Sequence, residues 1–189
     1  MGYPKCAVVL QYAQLNEGIK TRDESMADNI KWIADQNPGA KIIVWARNGH
    51  VAHGGTPSYT PMGSYLRKML DSLYVNFGFA FNQGSFQAIE AGKGLHDFTV
   101  GPAPDGSLDA TLASAGLPII ALDLREPPNE PAVNHWLKAA HQTRSIGAVF
   151  SNEQAASYFV SATASDMFNV LLFVEKTTAA RPIGPPGAN

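Results

Sequence analysis

The chain has a single cysteine, Cys6, among 189 residues, which excludes an internal disulfide and a zinc site built on cysteine. No block of Lys or Arg occurs. Fourteen Lys and Arg stand against sixteen Asp and Glu, for a formal net charge of −2, so nothing recommends nucleic acid or an anionic membrane as a partner. No apolar run approaches the ~20 residues that a transmembrane helix needs. The opening residues, Met-Gly-Tyr-Pro-Lys-Cys-Ala-Val-Val-Leu-Gln, lack the long h-region and small-residue cleavage site of a secretory leader. The cytoplasm is the expected compartment. A Gly-x-Ser-x-Gly nucleophile elbow is missing, and Gly92-Lys93-Gly94 is too short for a phosphate loop.

What is present reads as a globular chain, 45% hydrophobic and 16% charged. Residues 4–15 have helical spacing, with Ala7, Leu10 and Ala13 on one side. Thr21 and Glu24 form a capping box, and Met26, Ala27, Ile30, Ile33 and Ala34 form the stripe of the helix that follows. Asn37-Pro38-Gly39 stops it. Arg22, Met26 and Asn29 share a face with that stripe, which suits a cleft wall or an arginine snorkelling to solvent.

Residues 41–46 are short, apolar and rich in β-branched side chains, so they read as a buried strand. Arg47, Asn48 and His50 follow at once, where open α/β sheets bind ligands. A flexible loop then runs to Tyr59, because Gly49, Gly54 and Gly55 argue against a helix. Pro61 opens a helix with Met62, Leu66, Met69, Leu70 and Leu73 at core spacing, and Gly63 is suited to close approach of another backbone. Residues 74–81 alternate, with Val75, Phe77, Phe79 and Phe81 expected on the packed face. Asn76, Gly78 and Ala80 form a small face open to a helix or ligand.

Further on, 92–107 read as an excursion with a short strand near Phe98, and 108–115 as a short helix. Residues 117–124 read as a buried strand ending in Asp123-Leu124-Arg125. A helix over 134–142, a strand over 146–150, a helix over 152–159 and a strand over 170–175 complete the pattern. The expected fold is one α/β domain over 1–176, its strands mostly parallel with helices on both sheet faces, and a Pro/Gly-rich tail over 177–189.

The candidate chemistry gathers at the first of these strand ends. His50 is the natural acid/base there, since an imidazole takes and gives protons near neutrality. His50 and His53 make His-x-x-His, but His96, His135 and His141 add no ligand spacing, so a metal site is the weakest reading and no cofactor is expected. Asp123 could reach the same crevice, or form a structural ion pair or turn cap.

Arg22-Asp23-x-x-Met26-Ala27-x-Asn29 followed by Trp45-Ala46-Arg47-Asn48-Gly49-His50 resembles the erythromycin esterase family, whose strand end reads Trp-Ala-His-Asn-x-His. Met62-Gly63-x-x-Leu66, Tyr74-Val-Asn-Phe-Gly78-Phe79-Ala-Phe81, Leu122-Asp123-Leu124-Arg125, Arg144-Ser-Ile-Gly147 and Asp166-Met-Phe168 also fit, over roughly 5–182. The resemblance implies a hydrolase of the antibiotic-resistance type whose best-known members open macrolide lactones. Water activated by histidine and glutamate does the chemistry there, without an obligatory metal. It carries over His50 as the catalytic residue and Arg22 and Asn48 to the substrate-binding set, which Arg47 and Asp123 join from their places at the two strand ends. Arg47 departs from the pattern, since a guanidinium is no general base but can hold a carboxylate or an oxyanion. The family's Gly-Glu-x-x-His-Gly motif is missing and its members are about twice as long. The expectation is therefore a C-terminal half acting on a small-molecule ester or lactone, with a second chain as a possible source of the missing half. The alternative is a non-catalytic binding or assembly protein on the same fold.

Overall fold

The computed structural model describes residues 5–181. It divides into two compact units. The first runs to Gly78 and takes in Asp123–Pro127 and Ala164–Val170; the second comprises Phe79–Leu122, Pro128–Thr163 and the chain from Leu171.

The first unit is helical. α1 (Lys5–Asn16) and α2 (Arg22–Gln36) fall where the spacing placed them. The Thr21 hydroxyl accepts from Glu24 N at 3.1 Å, so the capping residue does set the start of α2. The inward side of α1 differs from expectation: Leu10 is exposed, and half-buried Gln11 donates to Asn29 Oδ1 on α2 at 2.9 Å. Residues 41–46 form no strand, and Ile43 is 92% exposed. Apolar, β-branched composition only permits a strand; a ladder also needs a neighbouring edge, and no described strand supplies one. The expected loop after it opens with one helical turn, α3 (Asn48–Val51).

α4 (Met62–Leu70) buries Met62 and Leu66 completely and packs on α2. A Cβ on Gly63 would stand 2.3 Å from Val51 O and 2.4 Å from Ala52 O, so this glycine does admit another backbone. Asp71, at φ +49°, ends α4, and Leu73 lies exposed in a 3₁₀ turn rather than in the core. Phe168, which follows α7 (Ala164–Met167), lies against the small face at Gly78, where a Cβ would meet its ring at 2.5 Å.

The second unit is built on a four-stranded sheet in the order β2–β1–β6–β3. β1 (Phe77–Glu90) and β2 (Gly94–Val100) form an antiparallel hairpin, registered from Gly84↔Val100 to Glu90↔Gly94, so the first part of the expected excursion is strand. β6 (Val170–Thr177) lies along β1: Asn82, Gln83 and Ser85 bond Glu175, Thr177 and Ala179, indices that rise together as in a parallel pair. β3 (Ile119–Asp123) runs antiparallel to β6, since Pro118 O takes Glu175 N and Asn169 O takes Leu124 N. The mostly parallel sheet is therefore corrected to one that is mostly antiparallel. At the sheet edge β3 is not the buried strand expected, and Ile119 is 69% exposed.

β1 keeps the alternation that its sequence predicts, with the two faces inverted. Asn76, Gly78, Ala80 and Asn82 point inward, while Phe77 and Phe79 are partly exposed. Size decided it: a large ring from a neighbouring element fits only over a glycine. After α5 (Leu108–Ala113), α6 (Pro131–Lys138) ends earlier than expected, and His141 opens a strand. β4 (His141–Arg144) pairs antiparallel with β5 (Phe159–Ala162), leaving 146–150 with one isolated bridge, Val149 to Ile89. Residues 152–158 are 3₁₀ helix. The core of this unit gathers Ala88, Phe98, Val100 and Phe150, with Phe86 and Phe98 rings 5.0 Å from that of Phe150.

Candidate active site

Asp23 is the second residue of α2, and the Thr21 cap fixes the turn that carries it. Its carboxylate is almost completely buried, and three different segments bond it. His50 Nδ1, on α3, approaches both oxygens, at 3.0 and 2.9 Å. The Tyr59 hydroxyl donates to Oδ2 at 2.7 Å, and Met62 N at 2.9 Å. Pro61, the N-cap of α4, offers that helix no side-chain cap, so the Asp23 carboxylate takes the first amide and sits at the favourable end of the helix dipole.

Burial pushes the Asp23 carboxyl up, but the bonds from His50, Tyr59 and Met62 N outweigh it and hold Asp23 below its ordinary value. Tyr59 moves up, through burial first and then through the anion it bonds. A carboxylate that only accepts keeps the hydrogen of a neutral His50 on Nδ1. Every hydrogen bond the side chain makes to described residues runs through that atom, which leaves the Nε2 lone pair for a proton.

A second anchored imidazole follows. His53 Nδ1 lies 3.2 Å from Asn76 Oδ1, and Asn76 Nδ2 donates to Val51 O and Met167 O at 2.7 and 2.8 Å. Asn76 and Asn169 also exchange bonds, each backbone N–H to the other's side-chain oxygen, at 3.1 and 2.9 Å. Tyr74 clamps the same segment through Val51 O at 2.6 Å, and burial pushes its hydroxyl up to about 12.

The residues singled out from sequence fall into two groups. His50 is in the cluster; Arg47 and Asn48 stand just before it in the chain, and Arg22 stands just before Asp23. Arg22 opens α2 on the exposed side, close enough for its charge to act on Tyr59. Arg47 is exposed at the N-cap of α3, and its carbonyl accepts from His50 N at 2.9 Å. Asn48, half-buried, gives its carbonyl to Ala52 N. Asp123 is taken up elsewhere: Arg125 Nε and Nη2 hold its two oxygens at 2.9 and 2.5 Å and lower the carboxyl to about 2. No hydrogen bond among the described residues joins it to His50. The sequence reading passed over Asp23, Tyr59 and Asn76. Asp23 had a signal, an acidic residue in the first turn between Arg22 and the capping Glu24; Asn76 stood on the small face of the alternating stretch, and Tyr59 had none.

The family model for erythromycin esterase matches residues 6–177. The chain belongs to the erythromycin esterase family. A Bacillus subtilis (strain 168) protein named "Putative hydrolase YbfO" is 30% identical over 125 residues, covering 61% of this chain and 28% of the relative. A solved succinoglycan biosynthesis protein is 27% identical with a TM-score of 0.69, over 82% of this chain and 38% of that one. A solved Bacillus cereus protein has a TM-score of 0.72 at 20% identity, over 82% and 38%. A mutant of the erythromycin esterase EreC, in its open conformation, has a TM-score of 0.56 at 18% identity, over 87% and 40%; these last two likenesses carry the fold alone. The chain thus spans well under half the length of the relatives it matches. Within the erythromycin esterase family segment, no described helix is long and apolar enough to cross a membrane.

Proposed function

We propose that this chain carries the histidine side of a hydrolytic site that cleaves an ester or lactone of a small molecule, a macrolide being one candidate. The observation that supports it best is the Asp23 carboxylate spanning His50 Nδ1. In this reading Nε2 takes a proton from water as the water oxygen attacks the carbonyl carbon. The imidazolium then returns that proton to the departing alkoxide, leaving a carboxylic acid and an alcohol. Asp23 orients the ring and stabilises the imidazolium without itself taking the proton. Arg22 and Arg47 hold the developing oxyanion or the product carboxylate, Asn48 orients the neighbouring groups, and Asp123 serves as a structural pair with Arg125.

The rest of the machinery comes from a segment beyond the one matched, in the same chain or in a second one. Two features favour this: the relatives are much longer, and apolar side chains such as Val9 and Ile43 stand exposed in the first unit. The test is hydrolysis of activated esters and macrolides with and without a separately expressed first half of a relative. Turnover that needs the added half and is lost in His50→Ala supports the reading. Macrolide binding without turnover in both conditions supports the non-catalytic alternative and overturns it.

A further inference from the structure

A cavity of about 550 Å³ lies within the second unit, and no member of the Asp23–His50 cluster lines it. That is room for a compact organic ligand. Pro102, Pro104, Ala155 and Phe159 give it apolar walls, while Gln142, Asn152 and Arg144 bring side-chain donors.

Arg144 is the informative member. It is 8% exposed, and its guanidinium lies between two rings, 5.2 Å from the centroid of Phe81 and 4.8 Å from that of Phe159. Nη2 is committed, donating to Asn82 O and Gly101 O at 3.0 Å each. Nε is buried with no hydrogen-bond partner. The opposing charge that acts on the guanidinium is Asp109, yet its carboxylate takes the Arg144 backbone N–H at 2.9 Å instead of closing an ion pair. Burial also pushes Asp109 up, which weakens the compensation it offers. A cation this buried is ordinarily paired with an anion, and here the protein leaves part of that pairing unmade.

We propose that the cavity binds a small organic monocarboxylate. Its carboxylate takes Nη1 of Arg144, the guanidinium nitrogen that is neither sealed like Nε nor committed like Nη2, with Gln142 and Asn152 beside it, and its apolar body lies along Pro102, Pro104, Ala155 and the Phe159 ring. Two features select this class over inorganic phosphate. The walls are largely apolar, and Asp105, also in the lining, repels a second negative charge. The inference does not depend on the hydrolytic reading of the first unit.

The experiment is a titration of the ¹⁵N-labelled full chain with phenylacetate, followed by amide shifts. Phenylacetamide, a neutral isostere, and inorganic phosphate serve as the other two probes. Millimolar phenylacetate is expected to shift the amides of Gly101, Gly106 and Gln142, with both other probes weaker by roughly tenfold or more. Ala156→Trp, at an exposed lining position away from the buried core, should abolish the shifts while the remaining spectrum stays native. Arg144→Lys, which keeps the charge but loses the fork, should weaken phenylacetate and leave phenylacetamide as it was. Equal binding of acid and amide, phosphate binding as tightly as phenylacetate, shifts that survive Ala156→Trp, or no shift at all would each overturn the proposal.

Discussion

Asp23 and Asp109 are both buried, one in each unit, and burial alone would raise both carboxyls. They move in opposite directions. Asp23 collects an imidazole, a phenol and a helix-terminal amide, and settles below its ordinary value. Asp109 is sealed more completely: burial outweighs the bonds from the Arg144 amide, the Thr143 side chain and its own amide, and it is driven up. The balance between desolvation and the bonds donated to the carboxylate decides which way a buried acid moves. An imidazole held by a firm anion is a credible base, so this contrast is what separates the candidate active site from the buried acid of the second unit.

The largest break expected is Asp23→Ala, which strands three donors at once. It should lower unfolding stability by about 3 kcal/mol and shift the melting midpoint by several degrees, both readable by denaturant and thermal melts. Asp23→Asn and Asp109→Asn sharpen the contrast. The amide replaces an anion at position 23 and a readily neutralised acid at 109. The first variant should therefore lose about 2 kcal/mol and the second about half that or less. Equal losses would mean that the two acids hold the same charge state. A smaller effect belongs to Tyr59→Phe, which removes one of Asp23's donors at a partly exposed site and should cost about 1 kcal/mol while raising the Asp23 carboxyl.

The pH dependence carries the smallest signal and the clearest sign. Asp23, depressed in the fold, contributes stability that is present above its unfolded pKa and lost as pH falls through the lower folded value. Asp109, raised in the fold, contributes stability that is full below its unfolded pKa and lost as pH rises through the higher folded value. Melting curves across acid pH should accordingly flatten in opposite senses in Asp23→Asn and Asp109→Asn. Flattening in the same sense would remove the distinction.

How legible the site was depends on how local its causes are. The helix carrying Asp23 could be read from Thr21 and Glu24, three residues apart, because capping is satisfied inside one turn. His50 could be singled out as the imidazole of a polar strand-end string, although the strand is not there. Its partner could not be found that way: Asp23 lies 27 positions away, and the backbone amide at Met62 that completes the acid's environment lies 39 away. The hairpin partner of β1 was half hidden by its glycines, and β4 and β5 lack the alternation by which strands are recognised.

By itself the sequence determined the residue types, the capped helices, the period of two along β1, the glycine at 63 and the motifs that mark the family. Those depend on neighbours a few positions apart, whose geometry the covalent chain dictates. The tertiary structure alone decided which face of β1 turns inward, that 41–46 is no strand, that the sheet is mostly antiparallel, and that Asp23 holds His50. Each of these is a competition among distant segments for the same space or the same donors, and side-chain size and hydrogen-bond count settle it only after the chain has folded.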